Sequence, residues 1–366
     1  MDYGKKSKLD ILYLGLGYGT SRHRADALRR LGHKVDLLDP WEFFPNNLTL
    51  RKVLEKLIYE VGSAWLEPYV RRRLVQRLKY RHFNVIWNNQ CELIGSTTAL
   101  AIREHADSIV TYINDDPFGS QSRRRFSLLR QSLKHYDLNV VVRQPNVAEA
   151  YACGAAKVIR VFMAADEIAH RPVVLTPEEE KRWTSDVAFI GTWMPERGPF
   201  LARLMGFGVP LTVFGNRWQK SREWPLLKKA WRGPELAGDA YVKAIQTAKV
   251  CLGLLSKGNR DLHTQRSAEI PCIGSVLCAE LTEEHVAMYR PEKEAVFWRS
   301  VEECAEKCFE LLADESKLKA IAKAGRKRCL RSCYLNEPTA ERVLAVLEKR
   351  KMLPANCHRK SKTALS

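Results

Sequence analysis

Thr264–Glu280 reads TQRSAEIPCIGSVLCAE: a helix-compatible run, a Pro-Cys-Ile-Gly turn, then a short apolar strand, SVLCA. A helix that ends on glycine and feeds a buried strand is one unit of an α/β sheet. Arg266 and Glu269 are three residues apart, so a helix places them on one face. A guanidinium suits a diphosphate and a carboxylate suits a sugar diol. A site for a nucleotide sugar needs both.

The same alternation extends to both sides of this stretch. Upstream, LDILYLGLG, KVDLLD, NVIWNN, SIVTYIN, LNVVVR and KVIRVFM read as strands, separated by amphipathic runs such as SRHRADALRRLG and SRRRFSLLRQSLK. From Asp166 to Ser185 the pattern lapses into prolines and charges, the composition of a linker. It resumes with DVAFIG, PLTVFG, KVCLGLL, SVLCAE and EAVFW, and two helices follow, over Ser316–Arg331 and Thr339–Arg350. Short strands spaced by helices predict two doubly wound parallel sheets. The expected organisation is a Rossmann-like domain over 1–168, a second over 169–350, and a basic, disordered tail over 351–366. Tandem sheets of this kind hold a ligand cleft between their carboxyl edges.

The chain has 366 residues, enough for two cores. Its 45% hydrophobic and 28% charged content is that of a globular protein, and no run approaches the roughly 20 apolar residues of a membrane span. The first residues, MDYGKKSKLDILYLG, do not read as a signal peptide. Ten cysteines are scattered in apolar company, which suits a reducing cytoplasm rather than a disulfide scaffold. Cys304/Cys308 and Cys329/Cys333 have a spacing open to a four-thiolate metal site, but no glycine-rich knuckle accompanies them, and buried core cysteines are the preferred reading. The net charge of +18 points to anionic partners: phosphates, nucleic acid or an acidic membrane surface. Arg71–Arg73, Arg123–Arg125 and the tail carry its clusters.

The first strand ends in GLGYGTSRHR, where Gly15, Gly17 and Gly19 let backbone amides approach a ligand at a helix N-terminus. The spacing is not that of the dinucleotide fingerprint, although Asp36 and Asp39, toward the end of the second strand, keep an NAD(P)-dependent oxidoreductase as an alternative. Asn88, Asn89, Gln90 and Glu92 end one strand; Asn114, Asp115 and Asp116 end another. Of the two aspartates, one is expected to cap the following turn and the other to orient an acceptor hydroxyl. Downstream, Arg197 in ERG and Asn216-Arg217 in VFGNRW fall just past strands. The densest polar cluster runs from Lys257 to Glu269 and contains Asp261, His263 and Arg266. Such density between two buried strands points to binding. A non-catalytic nucleic-acid-binding protein is the other alternative that the charge allows.

At YINDDPFG, DVAFIGTWMPERGPFLARL, VFGNRW, DLHTQRSAEIPCIGSVLCAELTEEH and EKEAVFWRSVEEC the chain resembles the CgeB-like glycosyltransferases, a spore-maturation family with the GT-B fold. The resemblance spans about Leu9–Leu347. It implies a metal-independent transferase, with a nucleotide-sugar donor on the second domain and an acceptor on the first. The wider retaining clan carries an E-x7-E motif. Its second glutamate, the ribose ligand, falls on Glu269; its first, near the transferred sugar, falls on Asp261, one methylene shorter, with His263 beside it. The basic diphosphate residue falls on Arg197. A second basic residue is replaced by Thr192-Trp193 after Gly191, which leaves Arg266 or Arg217 as the substitute. The resemblance implies an NDP-sugar and an unidentified acceptor; the basic clusters point to an anionic one (a glycan, protein or nucleic acid) and, with no membrane span, to at most a peripheral membrane contact.

Overall fold

The computed structural model describes residues 8–120 and 123–351. The tail expected over 351–366 lies, beyond Lys351, outside the described residues.

The first sheet contains β1 (Asp10–Leu14), β2 (Lys34–Leu38), β3 (Phe83–Asn88), β4 (Ala106–Ile113), β5 (Leu138–Val141) and β6 (Val158–Arg160), in the order β2-β1-β3-β4-β5-β6. The second contains β7 (Ser185–Ile190), β8 (Leu211–Phe214), β9 (Trp231–Gly233), β10 (Ala248–Gly253), β11 (Val276–Glu280) and β12 (Val296–Trp298), in the order β12-β11-β10-β7-β8-β9. Every pairing is parallel. Strands covered by helices on both faces are apolar throughout rather than alternating, and Ile11–Leu14 and Val187–Ile190 are buried without a break. The strand order reverses between β1 and β3 in the first sheet and between β7 and β10 in the second, and ligands gather at the carboxyl side of such points.

The expected strands are present, and β9 is added. Its three residues form an edge too short to leave a periodic signal in the sequence. One expectation needs correction. The helix that begins at Gln265 does not stop at Pro271 but runs to Ile273 and ends on Gly274, whose φ of +107° suits a glycine C-cap. Pro271 to Ile273 are all buried, and that packing outweighs the amide hydrogen the proline lacks. In the amphipathic run before β5, of which Arg123–Lys134 is described, Ser127–Ser132 forms an α-helix, followed by a 3₁₀ turn.

The domains are joined twice. The chain leaves β6, passes Ala165 and enters the second domain through the helix Pro177–Trp183, which opens with a Thr176/Glu179 capping box. It comes back at Leu335, which bridges Ala165 in parallel. The last helix, Asn336–Lys351, then packs Ala340, Val343, Leu344 and Leu347 into the core around β1 of the first domain. Among the described residues no helix is long and apolar enough to cross a membrane.

Candidate functional site

A cleft of about 820 Å³ lies between the carboxyl edges of the two sheets. The first domain contributes the loop around Gly15–Gly19, Arg24, the loop at Asn89–Glu92, and Asn114-Asp115. The second contributes Glu235–Gly238, Tyr241, Arg266 and Glu269, and His170 of the crossing segment closes the base.

The helix Gln265–Ile273 positions the strongest group. Ser267 Oγ accepts the Thr264 amide at 3.0 Å, and the Ser267 amide donates to the Thr264 carbonyl at 3.0 Å, so the first turn is fixed and Arg266 and Glu269 share one side. Arg266 donates from Nη1 to Glu269 Oε2 at 2.6 Å and from Nε to the Ile190 carbonyl at 3.1 Å, and it lies 4.7 Å over the Tyr241 ring. The Tyr241 hydroxyl donates to the same carboxylate oxygen at 2.5 Å. His170 Nδ1 accepts the Asp166 amide, which leaves the neutral ring's proton on Nε2, 3.4 Å from Glu269 Oε1. Burial pushes the Glu269 carboxyl up, but Arg266, His170 and Tyr241 prevail and hold it below its ordinary value. Glu269 is therefore an ionised, fixed acceptor at the cleft wall. His23, edge-on to His170 at 5.3 Å, is held in the neutral form by burial and by that neighbour.

Asp261 and His263 occupy a different place. Asp261 is buried against Arg143 of the first domain, whose Nε donates at 2.8 Å and whose Nη1 reaches the Asn114 carbonyl at 2.7 Å. Burial, the larger effect, raises the Asp261 pKa against the pull of Arg143. His263 Nε2 accepts the Met163 amide at 2.9 Å, and Nδ1 faces Glu284, which also pairs with Arg160 at 2.6 Å. Neither residue lines the cleft. Asp116 is likewise enclosed: it accepts the Phe118 and Gly119 amides, Asn146, and Arg260 from the second domain. Asp115, beside it, faces the cleft with its amide held by Gln90 at 2.7 Å and its carboxylate 3.9 Å from Arg125.

Arg197 sits at the reversal point of the second sheet. It donates to the carbonyls of Thr192, Leu254 and Leu255 at 2.9, 3.2 and 3.4 Å, and its buried Nε has no partner among the described residues. Burial without a bonded carboxylate pushes its pKa down to about 10. Asn216 is tied to Glu235 in both directions, at 3.0 and 3.2 Å, and Arg217 adopts φ +69° in the loop after β8. Arg197, Asn216 and Arg217 lie outside the lining of the 820 Å³ space, whereas Arg266 and Glu269 are in it. Gly19 lines it and opens the helix Gly19–Arg30 with φ +58°; Gly17 does not, and its amide meets Asp39. Asp36 faces Arg81 in an ion pair.

The sequence reading missed Arg24, His170, Tyr241 and Arg143 as site residues. Arg24 is buried over Tyr112 at 4.4 Å and reaches Asn114 at 2.7 Å and Asn89 at 3.3 Å. Its signal was visible in GTSRHR, one turn into a helix that follows a glycine loop. His170 lay in the segment read as a linker, and Arg143 and Tyr241 carry no local mark. Cys304 and Cys308 meet Cys278, not Cys329 and Cys333: those three sulfurs lie within 4.8 Å of one another in the second core. Cys329 is buried beside Cys272, and Cys333 is exposed.

Residues 197–345 match a family model described as glycosyl transferase-like. No curated protein sequence matches the chain. Among solved structures it is similar to HepE of Anabaena, in complex with UDP-glucose, with 11% identity and a TM-score of 0.64 over 93% of this chain and 100% of that one. Sucrose-phosphate synthase of Thermosynechococcus elongatus has 13% identity and a TM-score of 0.63, over 94% of this chain and 99% of that one. A glycosyltransferase of Rickettsia africae has 14% identity and a TM-score of 0.63, over 95% and 100%. The chain has the GT-B fold of these proteins, and most of its second half, with the last helix, matches a glycosyl transferase-like domain.

Proposed function

We propose that this chain is a CgeB-like glycosyltransferase that moves a sugar from a nucleoside-diphosphate sugar to an acceptor hydroxyl. The observation that carries the reading is Glu269: a buried carboxylate, ionised and held by Arg266 and Tyr241, on the second-domain wall of an interdomain cleft. Three of its roughly four lone-pair positions face Arg266, Tyr241 and His170, which leaves one for a ribose hydroxyl. HepE binds UDP-glucose on the same fold, which favours a UDP-sugar as donor.

In this reading the bond from the anomeric carbon to the diphosphate oxygen breaks, and negative charge grows on the leaving phosphate. Arg266 at the cleft meets that charge, and Arg197 does so behind the Gly191 loop. Arg197 suits the task because its buried guanidinium bonds carbonyls and no carboxylate, which leaves its charge unpaired for an arriving anion. These guanidinium groups supply the charge that a divalent cation would otherwise bring, and transfer runs without a metal. Asn216 and Arg217 frame the nucleotide side, and the Gly17–Gly19 loop faces the donor from the first domain. The acceptor hydroxyl oxygen bonds to the anomeric carbon as the phosphate leaves, and Asp115, which takes that hydroxyl's hydrogen bond, receives its proton. Asp116, Asp261 and His263 hold the two domains in register for the reaction.

Thermal shift and calorimetry with UDP, GDP, ADP and NAD, in chelator and then with Mg²⁺, test this reading. The expected result is binding of one nucleoside diphosphate in chelator and its loss in Glu269→Gln. Binding of NAD alone, or equal nucleotide affinity in Glu269→Gln, overturns it.

A further inference from the structure

The helix Leu48–Val61 has three sides with different surroundings. Leu54 and Ile58 are buried in the first core. Arg51, Glu55 and Tyr59, spaced four apart, face the cleft. Leu50, Val53, Leu57 and Val61 follow the i, i+3, i+7, i+11 spacing of a single stripe, and they are 37, 50, 39 and 64% exposed. The helix is well anchored: the Asn47 side chain accepts the Thr49 and Leu50 amides, and Gly62 ends it at φ +85°. The stripe is therefore a fixed surface feature and not a frayed end.

A continuous apolar stripe on a soluble face marks an interaction site. Its rim is basic. Lys52 and Lys56 lie on its outward side, Lys56 within 3.9 Å of Glu60. Arg123 and Arg124 are exposed at its far end, where Arg124 donates to the Glu60 carbonyl at 3.3 Å and its backbone packs on Gly62. A second copy of this face would set these cations against each other, in a chain of net charge +18. Duplex nucleic acid meets the cations but has no use for four aliphatic side chains. An anionic bilayer fits both: acyl chains take the stripe and headgroup phosphates take the rim.

We infer that the stripe Leu50–Val53–Leu57–Val61 and the basic residues around it form a docking surface for an anionic membrane. The same helix turns Arg51, Glu55 and Tyr59 to the cleft, so docking brings the cleft mouth to the lipid headgroups. It follows that the acceptor is an amphiphile held at the bilayer surface, a consequence that rests on the transferase reading; the docking itself does not.

Flotation of the full chain with vesicles, in the absence of nucleotide, tests the surface separately from the donor site. Vesicles of phosphatidylcholine with roughly one-third phosphatidylglycerol are expected to carry the protein, and phosphatidylcholine alone to leave it behind. Reversal of Lys52, Arg123 and Arg124 to glutamate is expected to lower partitioning more than about 100-fold, and Leu50→Ser with Val53→Ser and Leu57→Ser at least about tenfold. Both variants should keep the wild-type melting temperature and nucleotide binding. Absence of the wild type from anionic vesicles overturns the proposal. So does undiminished partitioning of the serine variant, or a wild-type dimer that the serine variant turns into a monomer. Loss of nucleotide binding with vesicle binding intact counts instead against the transferase reading.

Discussion

Asp261 and Glu269 stand eight residues apart in one segment, both buried and each bound to an arginine, yet the fold uses them differently. Asp261 lies on the loop before the helix, and its arginine, Arg143, comes from the other domain. Glu269 lies on the helix, and its arginine is one turn away. Burial is the largest single influence on both: at Asp261 it prevails and raises the pKa, while at Glu269 Arg266, His170 and Tyr241 together outweigh it and lower the pKa. A long-range pair fastens the domains together, while a local pair leaves a carboxylate facing open space. Sequence spacing locates both acids; the domain that supplies the arginine, and the cleft that only Glu269 lines, separate joint from site.

The largest effect expected from this contrast is on stability. Asp261→Ala leaves Arg143 buried and unpaired, which costs about 3–5 kcal/mol and lowers the melting temperature accordingly. Donor affinity in the folded fraction should stay within about twofold of wild type. A large loss of donor affinity with stability unchanged would place Asp261 at the sugar and dissolve the contrast.

The helix that carries Glu269 is supported by His285. This ring donates from Nδ1 to the Glu280 carbonyl at 2.7 Å and accepts the Ser267 hydroxyl at Nε2, 2.8 Å away. Burial pushes its pKa from 6.5 down to about 4, so the unfolded chain takes up a proton before the folded one as pH falls. The stability that His285 contributes is complete above pH 6.5 and declines by about 3 kcal/mol on the way to pH 4. Melting curves across that window should flatten in His285→Gln; an unchanged slope would show that other groups set it. Glu269 acts in the same direction at lower pH: its contribution is complete above the ordinary value of 4.5, declines as pH falls below it, and is lost once pH has passed the depressed value of the folded state.

Glu269→Gln keeps the shape and removes the charge. The expected loss is about 1.5–3 kcal/mol of donor binding, roughly 10- to 100-fold in affinity, with a smaller drop in melting temperature than Asp261→Ala. The reverse ranking would mean that Glu269, too, is chiefly structural. The smallest effect is expected at Arg30, which joins the first domain to Asp166 and Glu167 of the crossing segment, each at 2.9 Å, from a partly exposed position. Arg30→Ala should cost about 1 kcal/mol, read as a small shift in urea midpoint.

Most of the fold was legible because parallel strands covered on both sides are written as unbroken apolar runs, and Asp10–Leu14 and Val276–Glu280 need no tertiary context to be seen. β9 was not, because three residues at an edge carry no period. Within the candidate site, Glu269 and Arg266 were legible because one helix turn joins them. Arg143, His170 and Tyr241 were not: each reaches its partner across 118, 99 or 28 positions of sequence, and nothing local marks such a meeting. The end of the 265–273 helix was misread because burial, which the sequence does not print, decided how Pro271 was accommodated.

The bridge between Ala165 and Leu335 places the outgoing and returning chains side by side, with Ala165 donating to the Tyr334 carbonyl at 3.0 Å and accepting the Asn336 amide at 2.9 Å. Two adjacent strands of backbone between rigid bodies behave as a hinge with a fixed pin. Splaying and sliding stretch one strand against the other, so rotation about the shared line is the soft motion left to the two halves. The halves are also interlocked along the chain: a single cut in the 167–184 stretch leaves them connected through the return strand, and neither half can be cloned by dividing the gene at one point.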